Sequence, residues 1–356
     1  MKVCTVVGTR PEIIKLSRVM AALDKAVQHT VIHTGQNYDR ELNQVFFEEM
    51  GIRHPDFQFE TNGSIPQMMD SLQHWLPVIK PDCILILGDT NSGFVAAYVA
   101  ARLKIPIFHL EAGNRCFDFS TPEELNRVII DHIPGMQLCY SERSRENLVH
   151  EGVPTKKIIK VGSPMNEVLD FYVDQIQTSN ALITLGLHYK EYFVVSCHRE
   201  ENVQYHFYEF VELLNRLAEY GQRILVTCHP RMRKRLDEDG TSHALEGGPR
   251  IHPLVEFHKP FGFFSYINLQ KNARCTLSDS GTISEESSIL GFPALMLRTS
   301  HERPECDEEG GVVMVDFDIQ RVYDSLEVAQ RQICTPDAYC SLQVSEKVVK
   351  IILSHQ

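Results

Sequence analysis

The stretch VCTVVGTRPEIIKL, residues 3–16, decides how the chain begins to fold. Five mostly β-branched residues make a run of strand length, and a glycine follows them at a turn. Thr9 is a possible helix N-cap, and Pro11 falls in the first helical turn, where proline is favoured. The order strand, turn, helix creates a helix N-terminus that can hold an anion, with Arg10 and Lys15 nearby. A tight turn with solvent-facing basic residues explains the same motif equally well.

The same alternation of apolar run, glycine-bearing turn and 3.6-residue periodicity recurs along the chain. In the first half the runs are VCTVV (3–7), TVIHT (30–34), CILIL (83–87), IPIFHL (105–110), MQLCYS (136–141) and KIIKVG (157–162). In the second half they are YFVVS (192–196), RILVT (223–227), IHPLV (251–255), RCTLS (274–278), PALML (293–297) and GVVMV (311–315). This pattern predicts two α/β domains with parallel sheets, facing each other across a cleft. Ligands of such sheets bind outside the carboxyl ends of the strands, so the loops after strands are the places to search.

The predicted domains are an N-terminal one over 1–170, which carries the candidate catalytic carboxylates, and a C-terminal one over 171–340. The crossover between them is expected within LDFYVDQIQTSNALITLGL, residues 169–187. The last segment, 341–356, has the apolar spacing of an amphipathic helix, and its sequence does not indicate which domain it covers.

Composition excludes several classes of protein. The chain has 356 residues and a formal net charge of -12, which argues against a nucleic-acid surface because phosphate backbones are bound by a basic excess. No apolar run approaches the roughly 18 residues of a membrane span, and no basic leader precedes the first strand, so we expect a cytoplasmic protein without membrane attachment. The ten cysteines form no C-x-x-C pair, and the histidines match no strong metal signature, so no metal is expected.

The stretch TPEE, residues 121–124, fits a capping box. In this interpretation Thr121 is the N-cap, Pro122 is the first helical residue, and Glu124 accepts a hydrogen bond from the cap amide. Glu123 then has no structural task, and the helix N-terminus keeps it ionised. Ser120 as the cap would exchange the roles of the two glutamates.

Two more carboxylates follow predicted strands of the first domain. Asp89 comes after CILIL in GDTNS (88–92), and Glu111 comes directly after IPIFHL. Together with Glu123 they lie at strand ends or on the loops that leave them. A group of carboxylates there suits proton transfer and the stabilisation of a positively charged transition state.

The second half contains a similar loop in TLSDSGTISEESSILGFP, residues 276–293. Its SGT turn opens a short helix, and the amides and hydroxyls of such a helix start suit a diphosphate. Glu286, one turn further, can accept hydrogen bonds from ribose hydroxyls, as acidic residues do in nucleotide folds. Alternatively, Glu285 and Glu286 only complement the helix dipole.

Three further loops after strands carry polar side chains. SCHREENV (196–203) contains His198 and Arg199, TCHPR (227–231) contains His229 and Arg231, and HERPE (301–305) contains Arg303. The histidines can bind phosphate or uracil, although a single histidine is more often structural. A solvated loop explains HERPE equally well.

Taken together, these motifs resemble the non-hydrolysing UDP-N-acetylglucosamine 2-epimerase family. The resemblance spans nearly the whole chain in the right order, and it is carried by GTRPEIIKL, HTGQNYD (33–39), GDTNS, HLEAGNR, PEELNR, GSPMNEVL (162–169), CHREEN, CHPR, SDSGTISEE and HERPE.

The resemblance implies a glycosyltransferase-B-like pair of Rossmann-like domains, UDP bound mainly by the second domain, and a homodimer. It places Asp89, Glu111 and Glu123 at the catalytic positions. The positions that it implies for substrate or UDP binding are Arg10, Lys15, His198, Ser280, Gly281, Thr282, Glu286 and Arg303.

Several motifs depart from the common family pattern. EAGNR stands where EAGLR is usual, HREEN replaces HRREN, SGT replaces SGG, and TGQNYD replaces TGQH. These departures resemble the branch that converts UDP-2-acetamido-2,6-dideoxy-L-talose to UDP-N-acetyl-L-fucosamine for capsule and O-antigen. The implied reaction is epimerisation at C2 of this UDP-sugar, or of UDP-N-acetylglucosamine to UDP-N-acetylmannosamine.

The family's reaction eliminates UDP to give a 2-acetamidoglycal and then adds UDP back. This route uses no cofactor, and the chain has no G-x-G-x-x-G with which to bind a nicotinamide. Two other classes stay open on the sequence alone. A retaining glycosyltransferase of the same fold would pass the sugar to an acceptor, and a sugar-nucleotide sensor would bind UDP without reaction.

Overall fold

The computed structural model describes residues 1–37, 44–228, 230–238, 251–330 and 335–355. The chain divides into two compact units. Unit 1 comprises Met1–Phe171, Glu302–Glu305 and Asp337–Gln356, and unit 2 comprises Tyr172–His301 and Cys306–Pro336. Each unit contains one sheet, and the predicted α/β class with two parallel-sheet domains is confirmed.

The sheet of unit 1 has seven parallel strands in its described residues, in the order β3-β2-β1-β4-β5-β6-β7. The strands are β1 (Lys2–Val7), β2 (Gln28–His33), β3 (Phe57–Gln58), β4 (Cys83–Leu87), β5 (Ile107–Leu110), β6 (Met136–Cys139) and β7 (Ile158–Lys160). The central strands β1, β4 and β5 are almost entirely buried, because helices cover both faces of a parallel sheet.

The helices of unit 1 follow its strands in alternation. They are α1 (Arg10–Ala26), α2 (Gln44–Glu49), α3 (Ile65–Ile79), α4 (Asn91–Arg102), α5 (Pro122–His132), α6 (Glu142–His150) and α7 (Met165–Phe171). The core between sheet and helices includes Leu72, Ile84, Ile86 and Val99. Burial of these aliphatic side chains stabilises the unit by roughly 1.5–3 kcal/mol for each one.

The sheet of unit 2 has six parallel strands in its described residues, in the order β10-β9-β8-β11-β12-β13. The strands are β8 (Tyr192–Ser196), β9 (Arg223–Thr227), β10 (Val255–His258), β11 (Cys275–Ser278), β12 (Ala294–Met296) and β13 (Val313–Met314). The helices are α8 (Val173–Gln177), α9 (Ala181–Leu185), α10 (Glu200–Tyr205), α11 (Phe207–Ala218), α12 (Pro230–Glu238), α13 (Phe263–Asn272), α14 (Ile283–Leu290), α15 (Pro304–Glu308, which begins in unit 1) and α16 (Ile319–Val328).

One predicted strand is displaced. The run 251–255 was expected to be extended, but β10 begins only at Val255, where the run ends. The Val255 amide donates to the carbonyl of His252 at 2.9 Å, so the preceding residues form a turn. The apolar run therefore predicted the start of this strand about four residues too early.

The domain boundaries also differ from the expected ones. Residues 302–305 and 337–340 lie in unit 1, although the sequence pattern assigned all of 171–340 to the second domain. The terminal helix α17 (Val344–Ser354) packs on α1 and belongs to unit 1 as well. Hydrogen bonds fix these segments: Tyr339 Oη donates to Glu305 at 2.8 Å, and the Ser345 amide donates to Glu167 at 2.9 Å.

Both sheets have a point where the strand order reverses. In unit 1 it lies between β1 and β4, and in unit 2 between β8 and β11. Loops that leave neighbouring strands in opposite directions open a crevice there, and ligands of open α/β sheets bind in it. The motifs after β1, β4, β8 and β11 flank these two points.

Candidate active site

Two of the predicted catalytic carboxylates lie side by side at the carboxyl edge of the first sheet. β4 and β5 pair in parallel up to Leu87 and Leu110. Glu111 follows β5 directly, and Asp89 follows β4 after Gly88. The Gly88 amide donates to the carbonyl of Leu110 at 2.9 Å, which keeps the two strand ends in register. The topology therefore brings together two residues that are 22 positions apart.

Glu111 is held by two buried cations. Its carboxylate lies 2.8 Å from Lys15 Nζ and 2.8 Å from Arg303 Nη2. Burial alone raises the pKa of Glu111, but the charges of Arg303 and Lys15 outweigh it and leave the pKa below its usual value. Glu111 is therefore ionised at neutral pH. Its φ of 71° is in the left-handed region, which costs on the order of 1 kcal/mol or more for a residue with a side chain.

Asp89 is held by α5. Arg127 Nε donates to Asp89 Oδ2 at 3.1 Å, Arg127 Nη2 makes a second short contact with the same oxygen, and Asn126 Nδ2 donates to the Asp89 carbonyl at 3.0 Å. The Asp89 side chain is 25% exposed, compared with 8% for Glu111, so Asp89 is the more accessible of the two carboxylates.

The Asp89 and Glu111 clusters are neighbours. The negative charge of Glu302 acts on both Glu111 and Arg127, which belong to the different clusters. Glu302 itself is 5% exposed. The carboxyl edge of the first sheet thus carries a compact array of alternating charges.

The capping box predicted at 121–124 is wrong in one respect: Glu124 does not accept a hydrogen bond from the Thr121 amide. Thr121 is the N-cap and Pro122 opens α5, as expected, but the Thr121 amide donates to the Asp118 carbonyl at 3.1 Å. The Glu124 carboxylate instead accepts the amides of Cys116 at 3.2 Å and Phe117 at 2.9 Å, and it forms an ion pair with Arg127.

Glu124 is still a structural residue, for a different reason than the sequence suggested. Burial alone raises the pKa of Glu124, but Arg127 and the two amides outweigh it and lower the pKa. Glu123 is half-buried, and the described residues include no hydrogen bond or ion pair of its side chain. It lies one helical turn before Arg127, on the same face of α5.

A second buried network lies behind the EAGNR motif. His109 Nδ1 lies 2.9 Å from Asp131, and Arg115 Nη1 lies 2.7 Å from the same carboxylate. Burial lowers the pKa of His109, but hydrogen bonding and charge from Asp131 outweigh it and raise the pKa. His109 Nε2 contacts the Gly88 carbonyl at 2.8 Å, so this network supports the turn that leads to Asp89.

In unit 2, Asp279 joins the loops that follow β8 and β11. It accepts the amides of His198 and Arg199, both at 2.9 Å, and the Asn202 side-chain amide at 3.1 Å. His198 Nδ1 lies 2.9 Å from its other oxygen. Burial alone raises the pKa of Asp279, but His198 and the amides outweigh it and hold the pKa well below its usual range.

The predicted diphosphate turn begins directly after Asp279. Ser280 Oγ and Thr282 Oγ1 are 3.0 Å apart, and Thr282 is the N-cap of α14. Gly281 lies between them, and its carbonyl accepts Ser284 Oγ at 3.0 Å. Asp279 therefore holds His198 next to the turn of Ser280, Gly281 and Thr282.

Glu286, the predicted ribose contact, is buried on α14. It accepts a hydrogen bond from Gln270 Nε2 at 3.0 Å. The adjacent Glu285 is completely buried. Both glutamates of this short helix are therefore buried, and the ribose contact of Glu286 stays a prediction.

The remaining candidate site residues lie in different parts of the molecule. Arg10 begins α1, with its guanidinium 5.5 Å from the Phe46 ring centre. Arg303 lies in unit 1 on Glu111, not among the unit 2 residues with which the sequence analysis grouped it. His229, Tyr38 and Asp39 lie outside the described residues, as does the side chain of Arg231.

Sequence reasoning missed several residues that shape the site. Glu12, Arg127, Asp131 and Asp279 each bind two or more partners in these loops. A signal was present for Glu12, since Thr9 and Glu12 have the spacing of a capping box. The acidic residue that follows β11 directly was a weaker signal.

The described residues lack two kinds of feature. The part of the chain that the structure describes contains no group of three or more His, Cys, Asp or Glu side chains that could hold a metal ion. Among the same residues, no helix has the length and hydrophobicity to cross a membrane.

Comparison with known proteins places the chain. The family model of UDP-N-acetylglucosamine 2-epimerases matches residues 21–353. The chain belongs to this epimerase family. The solved structure of UDP-N-acetylglucosamine 2-epimerase from Rickettsia bellii is 43% identical, covers 100% of this chain and 96% of that chain, and has a TM-score of 0.90.

Two further relatives illustrate the ligands of the epimerase family. The Methanocaldococcus jannaschii UDP-GlcNAc 2-epimerase, solved in complex with UDP-GlcNAc and UDP, is 31% identical over 99% of this chain and 100% of that chain, with a TM-score of 0.91. UDP-2,3-diacetamido-2,3-dideoxy-D-glucuronate 2-epimerase of Pseudomonas aeruginosa is 31% identical in an alignment of 327 positions that covers 88% of each chain.

These comparisons confirm three predictions. The family is the predicted one, the enzyme class is isomerase, and the general reaction is epimerisation at C2 of a UDP-sugar. They also support a glycosyltransferase-B-like fold class. The glycosyltransferase and sensor alternatives are thereby disfavoured.

Proposed function

We propose that the chain inverts C2 of a UDP-2-acetamido sugar by eliminating UDP and adding it back. In the first step the C1–oxygen bond to UDP breaks, the ring gains oxocarbenium character, and C2 loses its proton to give a 2-acetamidoglycal. In the second step UDP returns to C1 while a proton is delivered to the opposite face of C2. Elimination is needed because no carbonyl group adjoins C2 to make its hydrogen acidic.

The arrangement of Asp89 and Glu111 carries this proposal. Two carboxylates on adjacent strand ends, with Glu123 on the neighbouring helix, can exchange protons and stabilise a cationic ring. Glu111 is ionised because the charges of Arg303 and Lys15 favour its carboxylate form, so it can accept a proton or stabilise positive charge. Asp89 and Glu123 are more exposed and suit proton transfer. In this proposal the three act as a group.

Unit 2 holds the UDP moiety in the proposal. The turn of Ser280, Gly281 and Thr282 offers hydroxyl and amide groups at the start of α14, and His198 is fixed beside it by Asp279. Glu286 is the ribose ligand, oriented by Gln270. Arg10 is assigned to the substrate by family resemblance, and Lys15 and Arg303 act through Glu111.

We propose UDP-2-acetamido-2,6-dideoxy-L-talose as the substrate and UDP-N-acetyl-L-fucosamine as the product, for capsule or O-antigen synthesis. The support is the set of motif departures, EAGNR, HREEN, SGT and TGQNYD. The names of the relatives favour a second candidate, conversion of UDP-N-acetylglucosamine to UDP-N-acetylmannosamine. The Pseudomonas relative is named for a third UDP-sugar, UDP-2,3-diacetamido-2,3-dideoxy-D-glucuronate.

The test supplies both UDP-sugars to the purified protein in D₂O and follows C2 by NMR. The proposal expects inversion with deuterium incorporated at C2, faster for the 6-deoxy sugar. A retaining glycosyltransferase would place no deuterium at C2, and faster turnover of UDP-N-acetylglucosamine would favour the second candidate. Retention of activity in EDTA would exclude a required metal.

A matched pair of variants tests the catalytic group. Glu123→Gln should lower turnover by roughly 10²–10⁴-fold while the protein folds normally, because it removes a general acid or base. Asp89→Asn should do the same. Near-normal turnover of a folded Glu123→Gln protein would contradict the assignment.

Homodimerisation is a separate proposal that rests only on family resemblance. Light scattering coupled to size-exclusion chromatography measures it directly. A mass of about 81 kDa is expected, twice the 40.7 kDa of one chain, and a mass of 40.7 kDa at all concentrations would overturn it.

A further inference from the structure

Glu12 is a completely buried carboxylate whose two oxygens serve different loops. It occupies the third position of α1, directly after the turn that follows β1. Every partner in its hydrogen bonds is an amide or a hydroxyl, and it takes part in no ion pair of the described residues.

The first oxygen caps α1. Oε2 accepts the Gly8 amide at 3.0 Å, the Thr9 amide at 2.8 Å and the Thr9 hydroxyl at 2.8 Å. Such bonds satisfy the donors of the turn and the helix start. A residue that only capped the helix would need no other partner.

The second oxygen reaches a different loop. Oε1 accepts the hydroxyl of Thr90 at 2.9 Å, across 78 residues of sequence. Thr90 directly follows Asp89 and is the N-cap of α4, with its hydroxyl oxygen accepting the Gly93 amide at 3.0 Å. Glu12 thus connects the loops after β1 and β4, the two strands at the reversal point of the first sheet.

The two loops are in close contact. A Cβ built on Gly8 would lie 1.9 Å from Ser92 Oγ, two residues beyond Thr90. Only glycine fits there. The hydrogen bond from Thr90 to Glu12 therefore joins two loops that already approach closely at Gly8 and Ser92.

We propose that Glu12 is a positioning residue, which sets the backbone of Asp89 through the Thr90 hydroxyl. Arg127 and Asn126 hold Asp89 from α5, and Glu12 holds the next residue from α1. Asp89 is thereby oriented from two sides. This inference rests on the proposed catalytic role of Asp89.

The test compares Thr90→Val with Thr90→Ser. Thr90→Val removes the hydroxyl at nearly constant volume, and Thr90→Ser keeps it. Thr90→Val should lower kcat roughly tenfold, the equivalent of one lost hydrogen bond, with KM changed less than about twofold. Thr90→Ser should restore most of kcat. A merely structural role would leave kcat unchanged below the unfolding temperature.

A double-mutant cycle with Glu12→Gln separates positioning from capping. Both variants alter the contact between Thr90 and Glu12, and Thr90→Val also removes the cap of α4. Adding Glu12→Gln to Thr90→Val should therefore slow the enzyme by less than about twofold more. Multiplication of the two effects would overturn the proposal, because it would show independent roles.

Amide hydrogen exchange provides a readout without activity. Glu12→Gln and Thr90→Val should both accelerate exchange over residues 88–93 by roughly tenfold, and Thr90→Ser should not. Unchanged exchange in both variants would overturn the positioning role. Faster exchange in a protein that epimerises neither sugar would sink the proposed function and leave the structural connection intact.

Discussion

Glu12 in unit 1 and Asp279 in unit 2 have comparable structural roles. Each is a fully buried carboxylate that links two loops at the point where the strand order of its sheet reverses, Glu12 from the helix after β1 and Asp279 from the loop after β11. Their charge environments differ. Asp279 has His198 and Arg199 beside it, whereas Glu12 has only neutral donors.

Because their neighbouring charges differ, the pKa of Glu12 is raised and the pKa of Asp279 is lowered. Burial raises the pKa of Glu12 to about 7, although four hydrogen bonds act in the other direction. At Asp279 burial is outweighed, and the pKa lies well below its usual range. Hydrogen bonds from amides and hydroxyls alone do not offset the cost of burying a carboxylate here, whereas an added cationic partner does.

The largest expected effect is at Asp279. Asp279→Ala should lower the free energy of unfolding by about 3–5 kcal/mol, because it leaves His198, two partly buried backbone amides and the buried side-chain amide of Asn202 without their acceptor. Urea denaturation measures this change. Asp279→Asn, which retains an acceptor oxygen, is the control and should lose less. A loss below about 1 kcal/mol for Asp279→Ala would show that solvent replaces the carboxylate at no cost.

The next effect is a difference in pH dependence. The folded pKa of Glu12 is raised, so the folded protein binds a proton there between about pH 4.5 and 7, and that stabilisation is lost as pH rises through 7. The loss is on the order of 3 kcal/mol. Stability measured from pH 4.5 to 7 should therefore fall less in Glu12→Gln than in the wild type.

Asp279→Asn should behave differently over the same range. The folded pKa of Asp279 is lowered, so its contribution is present above about pH 4 and is lost only as pH falls below that value. The slope between pH 4.5 and 7 should match the wild type. Equal slopes in all three proteins would mean that Glu12 is ionised throughout, and the contrast between the two sites would disappear.

A smaller effect is expected for removal of the Glu12 carboxylate. Glu12→Ala should cost about 1–3 kcal/mol at pH 7, the penalty of leaving buried amide donors unsatisfied. This is less than for Asp279→Ala, because no ion pair is broken. Thermal or urea unfolding of both alanine variants in one buffer measures the order directly, and the reverse order would contradict our account of the two environments.

The smallest effect separates the two threonine caps of unit 1. Thr9 Oγ donates to Glu12 at 2.8 Å, whereas the Thr121 side chain makes no capping hydrogen bond. Thr9→Ala should cost about 1 kcal/mol and Thr121→Ala less than about 0.5 kcal/mol. Serine at each position is the control, and equal losses in both alanine variants would contradict a contribution from the hydrogen bond between Thr9 and Glu12.

The two threonine stretches also show what could be read from the sequence. TRPE at 9–12 and TPEE at 121–124 share the same capping signature, yet only Glu12 bonds to its own cap amide. Glu124 is drawn away by Arg127 and by the amides of Cys116 and Phe117. A local sequence pattern indicates which hydrogen bond is possible, but competing tertiary contacts determine whether it forms.

The sheets were predictable because buried parallel strands are continuous apolar runs bounded by turns. The two-residue strand β3 was not, since Phe57 and Gln58 carry no run. The strand-end rule also brought Asp89 and Glu111 together correctly in space. The partnership of Arg303 with Glu111 was not predictable, because 192 residues separate them and no periodic pattern links them.

The return of residues 302–305 to unit 1 has a consequence for dissecting the molecule. The chain passes from one unit to the other four times, after residues 171, 301, 305 and 336. A gene truncated after Phe171 would therefore encode a Rossmann-like half without Arg303, in which Glu111 retains only Lys15 as a counter-ion. In a chimaera of two relatives joined at this linker, Arg303 and Glu111 would come from different proteins. Such a chimaera should therefore take HERPE and the C-terminal helix from the same protein as the N-terminal half.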